Sequence, residues 1–154
     1  MTATSRPLVG ICVLVVKQGK ILLGKRRGSH GEGEYAAPGG HLEHDESFRT
    51  CAEREVLEET GLQIGKLRFL RVLNSMQYAP KHYIDLAFEA EWRSGEPEVR
   101  EPDKVESWGW YDPTNLPSPQ FAMLPSAIAA FREAHDLTLL WEDLPAAGND
   151  GKAR

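Results

Sequence analysis

Cysteine is scarce in this sequence, which contains only Cys12 and Cys51 among its 154 residues. Two cysteines so far apart form neither a disulfide framework nor a CxxC metal site. The sequence also has no apolar run of the roughly 18–20 residues needed to cross a bilayer, and its N-terminus lacks the pattern of a signal peptide. These absences predict a cytoplasmic protein with no membrane partner.

An excess of positive charge is also missing, because the formal net charge is -5. A negative surface does not attract nucleic acid or polyphosphates unaided, so we expect no polymeric nucleic acid as a partner. A phosphate substrate would need a divalent cation between the two negative partners. The 41% of hydrophobic residues is ordinary for a globular protein. We predict one domain over residues 1–154, with flexible tails at 1–7 and about 145–154.

Apolar runs separated by turn residues predict the strands. The first is the valine-rich run 9–16, and a glycine-containing turn joins it to the run 21–23, which indicates a hairpin. Further strands are predicted at 67–73, 83–92 and 107–111, and an amphipathic helix at 126–135. The glycine-rich stretch 26–35 and the acidic stretch 95–104 are predicted to be loops.

Residues 46–60 contain helix-forming residues with no internal glycine or proline. Asp45 is the predicted N-cap, and Gly61 stands where a left-handed residue ends a helix. At about 100° per residue, Phe48, Ala52 and Val56 share one side with Cys51 nearby, and we expect that side to face the core. This helix is the most informative element of the sequence, because its inward side is not purely apolar.

Two carboxylates, Glu55 and Glu59, project into the inward sector, and Glu58 lies at its edge. Burying an unpaired carboxylate costs several kcal/mol or raises its pKa. Mg²⁺ prefers oxygen ligands and would remove this cost together with the repulsion between the carboxylates. The alternative is a solvated acidic face, which glutamates on helices commonly form.

The segments GHLEHDE at 40–46 and REVLEETGL at 54–62 resemble a complete Nudix box, G-x5-E-x7-R-E-U-x-E-E-x-G-U with U aliphatic. On these residues the chain is identified as a member of the Nudix hydrolase family. The resemblance implies an α/β/α sandwich with a mixed sheet. It also implies hydrolysis of a phosphoanhydride bond by a metal-activated water, with Mg²⁺ as cofactor and Mn²⁺ as a possible substitute.

The resemblance also implies roles for individual residues. Glu55 and Glu59 match the principal metal ligands, and Glu58 matches a third ligand or a residue that positions water. The carbonyl of Gly39 matches a backbone ligand to the metal. These residues would form the catalytic centre.

The remaining box positions have structural roles by the same resemblance. Arg54 matches the arginine that pairs with the early box glutamate, Glu46, and holds the loop against the helix. Gly40 and Gly61 match the two box glycines. We therefore expect Arg54 to affect activity through geometry.

A general base is still needed, and family members often take it from a downstream loop. Glu101 and Glu106 are the candidates. The alternative for both is an ordinary position in an acidic surface loop.

The segments LLGKRRGS at 22–29, LNS at 73–75, HY at 82–83 and ESWGW at 106–110 resemble the MutT-homologue-2 branch of the family. This branch implies hydrolysis of a nucleoside triphosphate, (d)NTP, to the monophosphate and diphosphate. Lys25 and Arg26 could then contact the outer phosphates, or simply form a solvated strand end. Asp85 could accept a hydrogen bond from a guanine edge or a cytosine amino group. Alternatively, it faces solvent along with Ala87 and Glu89.

Tyr35, Phe121 and Leu124 could flank a base, although each is also a normal core residue. Tyr78 and Pro80 lie near positions that mark dinucleoside polyphosphate and ADP-ribose hydrolases in the family. Those substrates are the main alternative, and a non-catalytic nucleotide-binding module is another. By family analogy the chain could also form a homodimer.

Overall fold

The computed structural model describes residues 5–28, 30–133 and 141–148. Its strands form a single mixed sheet in the order β3-β2-β1-β6-β5-β8, with β4 paired to β1 and β7 paired to β2. The strands are β1 (Leu8–Lys17), β2 (Lys20–Arg26), β3 (Tyr35–Ala36), β4 (Gly39–His41), β5 (Gln63–Ser75), β6 (Tyr83–Ser94), β7 (Val105–Tyr111) and β8 (Trp141–Leu144). The helices are α1 (Phe48–Thr60) and α2 (Leu124–Arg132). Neither has the length and apolar character that a membrane span requires, so the described residues include no such helix.

The centre of the sheet is β1, the valine-rich run of the sequence. It pairs in parallel with β6 and antiparallel with β2 and β4. The predicted hairpin is confirmed, because Val16 pairs with Ile21 across a turn in which Gln18 and Gly19 have φ of 51° and 76°. Being covered on both faces explains why β1 is a continuous apolar run and not an alternating one.

The two faces of the sheet belong to separate core clusters, which confirms the predicted α/β/α sandwich. Ile11, Val13 and Val15 of β1 pack in one cluster with Cys51, Ala52 and Val56 of α1. Residues Cys12 and Leu14 pack in the other with Leu124, Ala127 and Ile128 of α2. The side chains of β1 alternate between the faces, as expected for a strand.

The strand predictions at 67–73, 83–92 and 107–111 are confirmed as parts of β5, β6 and β7. Strands β3, β4 and β8 were not predicted, because two to four residues carry too little periodicity. Helix α2 begins two residues before the predicted start and ends at Arg132, and predicted residues 134 and 135 lie outside the described part. Residues 5–7 and 145–148 have no regular structure, and the rest of the predicted tails lies outside the described residues.

The predicted start of the acidic helix is wrong. Its N-cap is Ser47, whose side chain accepts a hydrogen bond from the Thr50 backbone, and Asp45 has φ of 59° in the turn before it. The left-handed Gly61 is confirmed, with φ of 78°. Phe48 does not face the core as predicted. As the first residue of α1 it lies at the margin of the sheet, where it contacts Phe88 and stays 47% exposed.

Candidate active site

Two consecutive glycines bring the short strand β4 against both β1 and α1. A Cβ atom at Gly39 would collide with the carbonyl oxygen of Ile11, and one at Gly40 would collide with the carboxylate of Glu55. No other residue type fits either position without displacing the backbone or that carboxylate. The sequence therefore uses Gly40 to make room for a functional side chain.

Arg54 connects the box loop to the helix, as predicted. Its Nε and Nη2 donate to the two carboxylate oxygens of Glu46 at 2.7 and 2.9 Å, and Nη2 also donates to the carbonyl of His41 at 3.2 Å. The hydrogen bonds from Arg54 lower the pKa of Glu46 to about 2. Nη1 donates to Glu55 at 2.8 Å, so one guanidinium orients both the loop and a candidate metal ligand.

Glu55 and Glu59 form a pair on the inward side of α1. The Glu55 side chain is 13% exposed, and burial is the main cause of its raised pKa. The pKa of Glu59 is raised well above the usual value by burial, then by the charges of Glu55 and Glu101, while a hydrogen bond from the Gly39 backbone opposes the rise. The two side chains are hydrogen-bonded to each other. Without a cation, ionising both of these carboxyls is therefore costly.

Glu58 is placed differently from its neighbours. Its side chain is 53% exposed and lies 3.4 Å from Nη1 of Arg54. Within residues 5–28, 30–133 and 141–148, no three His, Cys, Asp or Glu side chains form a ready set of metal ligands. The chemistry of Glu55 and Glu59 nevertheless fits a hard divalent cation, because Mg²⁺ usually keeps several ligands from water and substrate phosphates.

The two candidates for the general base, Glu101 and Glu106, have different surroundings in the structure. Glu101 belongs to the segment between β6 and β7, which contacts the last turn of α1. The Glu98 backbone donates to Thr60 at 2.9 Å, and Arg100 donates to Leu57 at 3.4 Å. Glu101 thereby comes close enough to Glu59 to raise its pKa, whereas Glu106 is on β7 beside Lys25, at 3.9 Å.

A cavity of about 700 Å³ opens beside the box carboxylates. Predicted residues that line it are Gly39, Gly40, Arg54, Glu55, Glu58, Glu59, Arg26, Asp85, Phe121 and Leu124. Glu101, Glu106, Lys25, Tyr35, Glu46 and Gly61 do not line it. The cavity therefore joins an acidic end to walls that carry cations and rings.

Two predicted substrate contacts are not brought to this cavity. Lys25 pairs with Glu106 and does not line the cavity. It points to the opposite face of the strand from its neighbour Arg26. Tyr35 instead packs edge-on against Tyr111, with ring centroids 6.0 Å apart. Arg26, the neighbour of Lys25, does line the cavity, and its guanidinium lies 4.1 Å from the centre of the Phe121 ring.

Rings from several loops form one wall of the cavity. Phe121 is stacked on Tyr78 at 4.8 Å, and His30 lies 5.9 Å from both Phe121 and Tyr83. Burial, followed by the charges of Arg26 and Lys81, lowers the pKa of His30 to about 4, so its imidazole is neutral at pH 7. Leu124, predicted to flank a base, is fully buried core that also borders the cavity.

Sequence reasoning missed several residues that line the cavity: His30, His41, Lys81, Tyr83 and Lys104. It also missed Arg71, which is fully buried and forms an ion pair with Asp85 at 2.9 Å. Asp85 therefore does not face solvent. The available signal was an arginine inside the predicted strand 67–73, since a buried cation requires a partner, although Arg68 in the same strand carries the same signal.

Comparisons with known proteins agree with this geometry. Residues 4–133 match the model of the NUDIX domain. A protein named NAD-capped RNA hydrolase NudC, from Chromobacterium violaceum, is 32% identical over 68% of this chain and 38% of its own length. An ADP-ribose pyrophosphatase from Methanocaldococcus jannaschii is 33% identical over 75% of this chain and 68% of its own. The chain spans about two fifths of the length of the NudC relatives it matches.

A solved structure extends the comparison to three dimensions. The MutT NUDIX hydrolase from Burkholderia pseudomallei is 31% identical and superposes with a TM-score of 0.78. The match covers 82% of this chain and 98% of that protein. The fold is therefore shared over nearly the whole of the Burkholderia protein.

Proposed function

The chain belongs to the Nudix family, whose domain model matches residues 4–133, and on that premise we propose that it hydrolyses a phosphoanhydride bond of a nucleotide. Nudix hydrolases generally use divalent metal ions, and Mg²⁺ is the ion we propose here, with Mn²⁺ as a substitute. The observation that carries the proposal is the hydrogen-bonded pair Glu55 and Glu59 at the edge of the cavity. This pair has a chemical reason to bind a cation, because burial raises the cost of ionising both carboxyls and the charge of Glu55 raises it further for Glu59.

In the proposed mechanism, Glu55, Glu59 and the Gly39 carbonyl would hold a divalent metal, and Glu58 would offer a further oxygen at the cavity margin. When bound, a divalent cation neutralises phosphate charge and lowers the pKa of a bound water. Arg54 keeps Glu55 oriented through the hydrogen bond of 2.8 Å. Such positioning accounts for most of the catalysis in phosphoryl transfer.

Glu101 is the general base that we propose. It accepts the proton of the attacking water at its carboxylate, next to Glu59. Lys104 lines the cavity and lies 3.3 Å from Glu101, where it can hold a phosphate oxygen or stabilise the carboxylate. We prefer Glu101 to Glu106 because Glu106 pairs with Lys25 at 3.9 Å, whereas Glu101 is close enough to Glu59 for its charge to raise the pKa of that carboxyl.

We propose that the substrate is a nucleoside triphosphate, which is hydrolysed to the monophosphate and diphosphate. Arg26 and Lys81, which line the cavity, supply positive charge for phosphates, and Phe121 and Tyr83 supply ring faces for a base. The Burkholderia relative of MutT type supports this choice.

A second candidate substrate is another nucleoside diphosphate derivative, such as ADP-ribose or a dinucleoside polyphosphate. The relative from Methanocaldococcus jannaschii is named an ADP-ribose pyrophosphatase, and others are named for NAD-capped RNA. Such substrates share the phosphoanhydride bond, so the same carboxylates would serve them. Because some relatives are named for NAD-capped RNA, the absence of a polymeric nucleic acid partner stays a prediction.

The test is product analysis with purified protein on a panel of (d)NTPs, ADP-ribose, NAD and diadenosine polyphosphates, in Mg²⁺, in Mn²⁺ and in chelator. We expect monophosphate and diphosphate from triphosphates, in metal only. If only ADP-ribose or dinucleotides are hydrolysed, the proposed triphosphate substrate is wrong. Hydrolysis in the presence of chelator would overturn the metal assignment. Tight nucleotide binding without turnover in either metal would indicate a binding module.

A further inference from the structure

The feature that carries this inference is the carboxylate of Asp85, which borders the cavity although it is almost buried. Its side chain is 8% exposed, and Oδ2 accepts a hydrogen bond from Arg71 at 2.9 Å. Arg71 in turn donates to the backbone carbonyl of Asp85 at 2.8 Å and to Ser126 at 2.7 Å. The carboxylate is thus fixed in position by a guanidinium that has no other role in the cavity.

The second oxygen, Oδ1, is different. No described residue donates a hydrogen bond to it, and it lies beside Gly10, where an added Cβ would come within 2.9 Å. A carboxylate oxygen in a mostly buried site is a strong acceptor, and leaving it without a donor costs free energy. The absence of a side chain at Gly10 keeps the approach to this acceptor open.

Asp85 also lies on a wall of the cavity where the base of a nucleotide could stack on an aromatic ring. Tyr83 is two residues before it on β6, on the same face of the sheet, and its ring is one of those that line the cavity. Cys12, on the cavity floor, is close enough to both Asp85 and Glu59 for their charges to raise its pKa. A ligand with phosphates at Glu59 could therefore extend past Cys12 and bring its ring to Asp85.

We propose that Asp85 Oδ1 accepts a hydrogen bond from an exocyclic amino group of the substrate's base, and that the enzyme selects amino-bearing bases by this contact. The inference rests on the proposed nucleotide hydrolysis and names the substrate class within it. Only one oxygen is open, because Arg71 occupies the other, so the contact is a single hydrogen bond. Arg71 is a positioning residue, since it acts through Asp85.

A site built to bind an N–H donor rejects analogues that lack it, because the acceptor is then left unpaired. The experiment measures kcat/KM for three matched pairs that differ in the amino group. These are ATP and purine riboside triphosphate, GTP and ITP, and CTP and the triphosphate of 4-deaminated cytidine (zebularine). We expect at least one pair to show a preference of about tenfold or more for the amino-bearing base. Ratios within threefold for all pairs overturn the inference.

Two variants test whether Asp85 is responsible. Asp85→Asn removes the carboxylate, and Gly10→Ala places a methyl group 2.9 Å from Oδ1, a contact too short for this oxygen to keep its position. We expect both to reduce the preference to within threefold. Glu89→Gln is the control, because Glu89 is on the same strand but pairs with Arg68 outside the cavity, and it should keep the wild-type ratio.

The outcomes separate this inference from the proposed function. If nucleotides are hydrolysed without regard to the amino group, hydrolysis stands and the role of Asp85 fails. If wild type shows a preference that Gly10→Ala and Asp85→Asn both retain, another residue reads the base and the inference is overturned. If Asp85→Asn does not fold, Gly10→Ala decides. If no nucleotide is hydrolysed in metal, the proposed function fails and this inference fails with it.

Discussion

Arg54 and Glu46 are joined by two parallel hydrogen bonds, of 2.7 and 2.9 Å, across the turn that leads into α1. The pairing is of the fork-to-carboxylate kind, which fixes direction as well as distance. The same guanidinium continues to Glu55 at 2.8 Å. The orientation of a candidate metal ligand therefore depends on a contact that lies outside the cavity.

Arg54→Lys keeps the charge but loses the planar fork, so Glu46 and Glu55 cannot both be held. We expect kcat to fall by about tenfold or more, with a lower melting temperature. The measurements are steady-state kinetics and thermal unfolding. Arg49→Lys is the control, because Arg49 pairs with Glu53 on the same helix and donates to the Gly65 carbonyl, and neither partner lines the cavity. Unchanged kcat in Arg54→Lys would show that the fork does not position Glu55.

Glu59→Gln removes a proposed metal ligand with little change in shape. We expect kcat to fall by several orders of magnitude while the circular dichroism spectrum stays the same, because both metal binding and the water it activates depend on this carboxylate. The matched control is Glu53→Gln, nearly two turns earlier on the exposed side of α1. Activity within tenfold of wild type would contradict the assignment.

The same variant makes a prediction about the metal-free protein. The pKa of Glu59 is raised on folding, so over a range of pH above its ordinary value the native state holds a proton that the unfolded chain has lost. The free energy of unfolding therefore falls as pH rises through that range. In chelator, Glu59→Gln should melt above wild type, by a margin that increases with pH and is absent near pH 4. A lower melting temperature at neutral pH would argue against a buried, repelling pair.

Glu101→Gln and Glu106→Gln should separate the two candidate bases. Loss of a general base typically costs about 10²–10⁴ in rate, so we expect that fall in kcat for Glu101→Gln. Glu106→Gln should stay within threefold, because its partner is Lys25 outside the cavity. The reverse order would show that the segment holding Glu101 rearranges around the substrate.

The metal end of the site could be predicted from sequence because its residues are close along the chain. Glu55 and Glu59 are one helical turn apart, so helical periodicity alone brings them together on one side. Glu58 deviates from the predicted set, since its carboxylate is mostly exposed beside Arg54. Local spacing thus determined which residues meet, but not how deeply each is buried.

The end of the cavity that is proposed to bind the nucleotide's base could not be predicted in the same way. Arg71 and Asp85 belong to neighbouring strands, and Arg71 also donates to the carbonyl of Met123, which is 52 positions away. Contacts of this kind depend on how β5, β6 and the start of α2 pack together, and no local pattern encodes them. The homodimer, the single-domain boundary and the compartment stay predictions.

The segment that carries Glu101 is attached to the final turn of α1 through the Glu98 backbone and Arg100. The proposed general base and the proposed metal ligands therefore belong to two segments, and we expect the contacts between them to open more readily than the sheet. Local opening of this kind requires less free energy than global unfolding. Hydrogen exchange at the Glu98 amide, compared with exchange at amides of β1, would report how often the segment that carries Glu101 detaches from α1.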